Sequence, residues 1–315
     1  MTGYVARRAL LLVPTLLGIS ILAFALANLA PGDPAEEFLR RTLERPPTPE
    51  EVSAEREELG LDRPVVVQYA SWLAGAVRGD LGISYSSRRP VTTELAYRVP
   101  FTLELAIPAA LLALVIAVPL GVVAAVHRNR IVDHVLRVAA LVGASIPSFW
   151  LALTLITVFA VNLSLLPVAG RSGMPSLVLP VVTLAVVPTA VLARFTRSTM
   201  LETLGEEYVR VARAKGVRAR GVVWRHALRN SLVPVVTAFG TSVGQLVGGA
   251  VIVESIFLWP GVGGLTLDAI ASRDYPMIQA VVLYGGAAFV LLNLAVDLSY
   301  ALIDPRVRLG RRADA

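Results

Sequence analysis

The sequence predicts an all-α integral membrane protein with six transmembrane helices, on three observations. The chain of 315 residues is 55% apolar with a mean hydropathy of +0.67, above the 45–50% usual for soluble domains. Six uncharged apolar runs, at 9–30, 105–126, 138–166, 172–193, 230–253 and 277–296, are each long enough to be a span. Basic residues then fall on alternate connections.

A hydrocarbon core of ~30 Å needs about 20 residues of helix, and each run reaches that length. Prolines within the runs, Pro14, Pro108, Pro119, Pro147, Pro180 and Pro188, would break soluble helices, whereas neighbouring helices in a membrane bundle can satisfy the freed carbonyls. The first run exceeds the ~7–15 residues of a signal-peptide core and is expected to be a retained helix.

Arginines set the orientation. Arg7 and Arg8 precede the first run, and Arg128, Arg130 and Arg137 surround the second connection. The fourth connection carries Arg194, Arg197, Arg210, Arg213, Lys215, Arg218, Arg220, Arg225 and Arg229. The third has only Arg171, and the fifth sets Arg273 beside Glu254, Asp268 and Asp274. Both termini and the even connections are therefore expected in the cytoplasm. Four parts follow: 1–30 with the first span, an outer segment 31–102, a five-helix core 103–303 containing a cytoplasmic loop at 196–230, and a tail 304–315. The net charge of +6 reflects these loops and implies no nucleic-acid partner.

The outer segment is expected to be folded. Thr48-Pro49-Glu50-Glu51 has the form of a capping box with proline at the first helical position, and Gly60 suits the helix end. Further on, 68–77 is amphipathic, placing Tyr69, Trp72, Leu73 and Val77 on the membrane surface or against the bundle.

Cysteine is absent, so neither a disulfide framework nor a thiolate metal site exists. Lys215, the single lysine, is followed by Gly216. A phosphate-binding loop needs Gly-Lys-Ser/Thr, so any ATP that drives this chain binds another polypeptide. Gly240-Thr241-Ser242-Val243-Gly244 matches the Gly-x-Ser-x-Gly elbow of hydrolases. Its histidine would have to follow, yet the last one, His226, lies upstream, and the match is rejected. No juxtaposed acid–base pair supports an intramembrane enzyme.

The fourth connection, roughly 35 residues, is longer than plain linkers usually are and is expected to carry function. At helical spacing Leu204, Tyr208, Val211 and Ala212 form an apolar stripe, with Arg210 and Arg213 pointing elsewhere. Gly216 suits the left-handed residue that stops a helix. Such a helix needs a groove, in this chain's bundle or in a partner. A basic helix on anionic lipid is the alternative.

The residues Tyr208 to Gly216, followed by Arg225-His226-Ala227-Leu228-Arg229-Asn230 and Pro234, resemble the EAA loop of ATP-binding-cassette importer permeases of the dipeptide/oligopeptide/nickel branch. Arg210-Val211-Ala212 stands where general members have Glu-Ala-Ala. Pro31-Gly32-Asp33-Pro34, Gly79-Asp80-Leu81-Gly82, Ile256-Phe257, Pro260-Gly261-Val262-Gly263, Arg273-Asp274-Tyr275-Pro276 and Asp304-Pro305-Arg306 resemble the same family. The resemblance implies a type I importer permease (MetI-like) fold in a bacterial inner membrane. It also implies a coupling helix seated on an ATPase, with Glu206, Glu207, Tyr208, Arg210, Ala212, Arg213 and Gly216 as its residues.

The resemblance further implies a second, homologous permease, two ATP-binding subunits that carry ATP and magnesium, and an extracytoplasmic solute-binding protein. No cofactor is expected on this chain. Gly240, Gly244 and Gly248 form a small-residue stripe for helix packing, and Thr241, Ser242 and Gln245 are expected along the solute path. Trp259 in the fifth connection and Asn293 and Asp297 in the last span are gate or polar-face candidates. The loop around Tyr208 looks like dipeptide members, while the region around Arg45-Pro46-Pro47-Thr48-Pro49 looks like nickel members. Peptides are placed ahead, since His127, His134 and His226 all lie on the cytoplasmic side. A passive channel or a membrane assembly protein is the alternative class.

Overall fold

A computed structural model describes residues 2–29, 32–43 and 45–303, without the side chains of 2–9, 11, 29, 41, 245, 247 and 296–303. In chain order the helices are α1 (Thr2–Leu29), α2 (Pro34–Leu43), α3 (Pro49–Glu58), α4 (Val65–Val77), α5 (Val91–Val126), α6 (Ile131–Ser145) and α7 (Ser148–Leu155), then α8 (Pro175–Gly205), α9 (Glu207–Ala214), the turn α10 (Ala219–Gly221), α11 (Leu228–Ile256), α12 (Val262–Ala271) and α13 (Tyr275–Ile303). Wider π-helical turns extend α7 over Ile156–Asn162 and precede α11 over Val222–Ala227. The sole strand-like feature among the described residues is an isolated bridge between Ile83 and Pro90. An all-helical chain suits a bilayer, because a helix satisfies its own backbone.

Among the described residues α5, α8 and Tyr275–Ala295 are long and apolar enough to cross a membrane. The number rises to five if α6–α7 and the bent α11 each count as one span. Leu12–Asn28 of α1 is a shorter apolar helix.

The 138–166 run, expected as one helix, is two. Ile146 precedes Pro147, and a residue before proline is pushed out of the helical region. Ile146 is extended at φ −73°, ψ 123°, and the two axes differ by 100°. The 172–193 run is instead longer than expected, since α8 continues through Arg194 and Arg197 to Gly205. Thr183, Thr189, Thr199 and Thr203 return their hydroxyls to the preceding turn, as Thr183 does to the Leu179 carbonyl at 2.7 Å. The buried Thr196 hydroxyl makes no hydrogen bond among the described residues.

The chain divides into two compact units. One comprises Met1–Val5, Leu103–Trp259 and Leu291–Ala315; the other Ala6–Thr102 and Pro260–Val290. In the first, α8 packs against α6, α7 and α11. Ala113, Ala117, Leu192 and Ala193 form one core cluster. Val122, Ala125, Met200, Ala227 and Leu228 form another below the start of α11. Helices α5 and α8 come into close contact at Gly121. A Cβ there would lie 2.5 Å from the Thr196 Cβ and 2.7 Å from the Ala193 carbonyl oxygen.

In the second unit Tyr69 and Trp72 of α4 pack on Phe24 of α1, with ring centroids 5.4 and 5.9 Å apart. The Ser20 and Tyr69 hydroxyls are 2.8 Å apart. Of the two settings expected for α4, its aromatic face takes the bundle. Asp274 draws two distant segments together, accepting from the Ser84 hydroxyl at 2.5 Å, the Ser86 N–H at 3.2 Å and the Met277 N–H at 3.3 Å.

The capping box forms as expected. The Thr48 hydroxyl accepts the Glu51 N–H at 3.3 Å and the Glu51 carboxylate accepts the Thr48 N–H at 2.8 Å. Gly60 closes the helix at φ +66°. The Arg45 guanidinium and then the Thr48 N–H hold the Glu51 carboxyl at about 2.

Two outcomes follow. Gly121→Ala forces α5 from α8 and destabilises by about 1–3 kcal/mol, read as a fall in detergent-solubilised Tm. Gly205→Ala, where a Cβ meets nothing within 4 Å, leaves it near wild type. Because the Glu51 pKa is depressed, the cap is intact above the ordinary carboxylate range of about 4.3. It is lost as pH falls through about 2, so amide protection in α3 declines over that window, and a Glu51→Gln variant shows no such decline.

Candidate functional site

Helix α9 begins where α8 stops. Glu206 is extended at φ −67°, ψ 150° and serves both as the end of α8 and the start of α9. Glu207 in the first turn and Arg213 in the last complement the helix dipole. At the far end Gly216 takes φ +78°. Its N–H donates to the Arg213 carbonyl at 2.9 Å, and the Val217 N–H to the Ala212 carbonyl at 3.2 Å. These two bonds form a Schellman motif, and glycine adopts its left-handed conformation without a Cβ penalty.

The apolar stripe differs from the expected one. Val209, absent from that set, is 0% exposed, and Ala212, one turn on, is half-buried. This pair faces the end of α8 and the π turn, against which α9 packs. Tyr208 and Val211 are 40% and 51% exposed. The reason is rotation: at 100° per residue the pairs 209/212 and 208/211 occupy adjacent faces. One face seats α9 on its own chain, and the other is left open between exposed Arg210, Arg213 and Lys215. The Tyr208 hydroxyl accepts from the Asn230 amide at 2.7 Å, and Arg210 donates to the Gly205 carbonyl at 3.2 Å. Glu206 and Glu207 are exposed at the opposite end.

The sequence reading missed the ion pair that braces this end of the unit. Asp133 of α6, 0% exposed, accepts Arg197 Nε at 2.6 Å and Nη2 at 2.8 Å, and also the Asn129 N–H at 2.9 Å. Arg197 had been read only as an orientation signal. An acid beside Ile131 and Val132 at the start of an apolar helix was the available clue.

In α11, Thr241 is exposed and Ser242 buried, and both hydroxyls donate to the Ala238 carbonyl, at 2.8 and 2.9 Å. Gly240 is buried, Gly244 is half-buried, and a Cβ at Gly248 would meet no atom within 4 Å. Gly248 therefore faces open space in this chain. The side chains of Gln245 and Asp297, and Asp304-Pro305-Arg306, lie outside the described residues. Asn293 is half-buried. Trp259 is 2% exposed. Its N–H donates to the Glu254 carbonyl at 2.8 Å, and the Gly170 N–H to the Phe257 carbonyl at 2.8 Å. Among the described residues no three His, Cys, Asp or Glu side chains stand together as a metal site.

Residues 117–309 match the family described as "Binding-protein-dependent transport system inner membrane component", and residues 1–106 match its N-terminal companion. The chain is 43% identical over 309 residues to the glutathione transport system permease protein GsiC of Escherichia coli (strain K12), covering 98% of this chain and 99% of that one. The protein of the same name from Salmonella choleraesuis (strain SC-B67) matches to the same extent. Among solved structures, an inward-facing MetNI methionine ABC transporter superposes with a TM-score of 0.57 at 21% identity, over 67% of this chain and 96% of that chain. The chain belongs to the binding-protein-dependent transport system inner membrane component family. It is a permease subunit of an ABC importer with the type I, MetI-like fold, and not itself a catalytic enzyme.

Asp133→Asn leaves Arg197 without its charge partner and costs about 1.5–3 kcal/mol. The figure is below that for a fully buried pair because Arg197 keeps 20% of its side chain exposed. Thermal unfolding reads it, and Asp133→Asn with Arg197→Gln recovers part of the loss.

Proposed function

We propose that this chain forms half of the translocation pathway of an importer for peptide-type solutes, with α9 as its coupling helix. Six spans are formed by α1, α5, α6–α7, α8, α11 and α13. Both termini and the loop 196–230 lie in the cytoplasm, 31–102 lies outside, 103–303 is the permease core and 304–315 a cytoplasmic tail. A second, homologous permease completes the pathway. Two ATPase subunits bind ATP and magnesium, and a solute-binding protein delivers the solute.

The observation that carries this reading is the two-faced α9. Val209 ties it to α8 and the π turn, while Tyr208 and Val211 remain open. A helix fixed to its bundle on one side and free on the other can be gripped and moved as a lever. ATP binding closes the motor subunits, α9 moves with them, and α8 and α11 tilt with α9. Glu206, Glu207, Arg210 and Arg213 set the electrostatic register, and Ala212 and Gly216 fix the helix seat and its end. A passive channel would leave this helix without a task.

Thr241, Ser242 and Gln245 border the solute path, with Thr241 the exposed member and Ser242 set behind it. Gly240, Gly244 and Gly248 form the helix-packing stripe, with Gly240 turned into this chain and Gly248 open to receive the second permease. Trp259, Asn293 and Asp297 belong to the gate and the polar face of the last span. Peptide-type solutes are favoured because the relatives at 43% identity carry the name of a glutathione system; nickel complexes are the second reading.

Arg210→Glu with Arg213→Glu inverts the charge beside the open face. It is expected to lower ATP-driven uptake in proteoliposomes by tenfold or more, a loss of about 1.4 kcal/mol in coupling, and to weaken capture of the ATPase subunits. Unchanged capture and uptake would sink the coupling assignment. In the wild-type complex, glutathione or dipeptides stimulate ATPase activity in the presence of the binding protein. Stimulation by a nickel chelate alone would move the substrate to the second reading.

A further inference from the structure

A groove of about 430 Å³ runs between α5, α6 and α8. Leu112, Ile116 and Leu120 stack along it at four-residue intervals on α5. Its floor is shallow side chains: a Cβ at Gly143 would lie 3.4 Å from the Ala190 Cβ. From Leu112 to Ala124 the groove follows α5 for about 18 Å at 1.5 Å per residue. One leaflet is about 15 Å deep, half of a ~30 Å core.

Charge is confined to one end. Arg137, Arg194 and Arg197 line the groove there, and the same three residues line an adjoining polar cavity of about 600 Å³ with Ser198. Asp133 neutralises one of them through Arg197. Among the described residues Arg137 and Arg194 have no carboxylate within ion-pair distance. The site thus joins an apolar slot of one-leaflet length to a chamber with a net charge of about two positive units.

We infer that this site holds an anionic phospholipid, one acyl chain in the groove between α5, α6 and α8 and the phosphate on Arg137 and Arg194. Guanidinium groups pair with phosphate oxygens through two parallel hydrogen bonds. Basic recesses between membrane helices at the headgroup level select anionic lipid over zwitterionic lipid. An apolar helix of a second protein would also cover the slot, but it would leave the exposed Arg137 and Arg194 at its end without the counter-charge that a phosphate supplies. The inference rests on the proposed orientation only in assigning the headgroup to the inner leaflet. The bound lipid braces α6 against α8 beside the Asp133–Arg197 pair, on the helix that leads into α9.

The full chain in detergent, delipidated and titrated with phosphatidylglycerol or phosphatidylcholine, tests this by native mass spectrometry and thermal unfolding. Phosphatidylglycerol is expected to stay bound and raise Tm, whereas phosphatidylcholine and glycerol phosphate leave Tm unchanged. Arg137→Gln with Arg194→Gln weakens phosphatidylglycerol retention about tenfold or more, while Arg137→Lys with Arg194→Lys, which keeps the charge but not the paired hydrogen bonds, falls between wild type and the Gln variant. Ile116→Trp fills the slot and also loses the lipid with the arginines intact. Equal retention of both lipids, or unchanged retention in the Gln variant, overturns the inference. So does an Ile116→Cys cross-link to a co-expressed permease. None of these readouts needs transport, so their failure is distinct from a failure of the coupling assignment.

Discussion

The burial of Val209 is the contact on which α9 depends. A helix of eight residues does not persist in water by itself, since nucleation costs more than so few hydrogen bonds return. Fully burying a valine contributes about 1.5–3 kcal/mol, enough to hold such a helix against a preformed surface. That surface is the end of α8 and the π-helical turn Val222–Ala227, against which α9 packs. Met200, Ala227 and Leu228 share a core that joins α8 to this turn and to the start of α11, so whatever displaces α9 acts on the junction of both helices.

The Schellman motif at Gly216 and the shared Glu206 fix the two ends of α9. The Asp133–Arg197 pair ties α6 to the last turns of α8, and the close contact at Gly121 ties α5 to the same helix. Helix α8 is thus clamped over its final stretch by charge on one side and by backbone proximity on another. Such a unit passes on a displacement instead of absorbing it.

What the sequence made legible was local. The Thr48–Glu51 capping box and the glycine stops at Gly60 and Gly216 depend on residues three or four apart, and each stands where expected. The family, the all-helical character and most helix positions also followed from apolar runs and motifs. What depended on distant partners was not legible. Arg197 finds Asp133 across 64 positions and Asp274 finds Ser84 across 190, separations that carry no periodic signal. The Val209 face was missed because Tyr208 and Val211 are the larger apolar residues of α9, and hydrophobicity alone does not say which of two adjacent faces meets the chain. The break at Pro147 was passed over since proline is tolerated within other membrane helices here, as at Pro188 of α8; the difference is the extended residue before it.

The central claim is that a motor grips α9 from the side of the membrane opposite the 31–102 segment. The chain has no cysteine, so single thiols can be introduced without background at Val211 and Val66, both exposed. A membrane-impermeant maleimide applied to right-side-out and to inverted vesicles reads their sides directly. The account predicts labelling at position 211 only in inverted vesicles and at position 66 only in right-side-out ones. Labelling of both positions from the same side would contradict it.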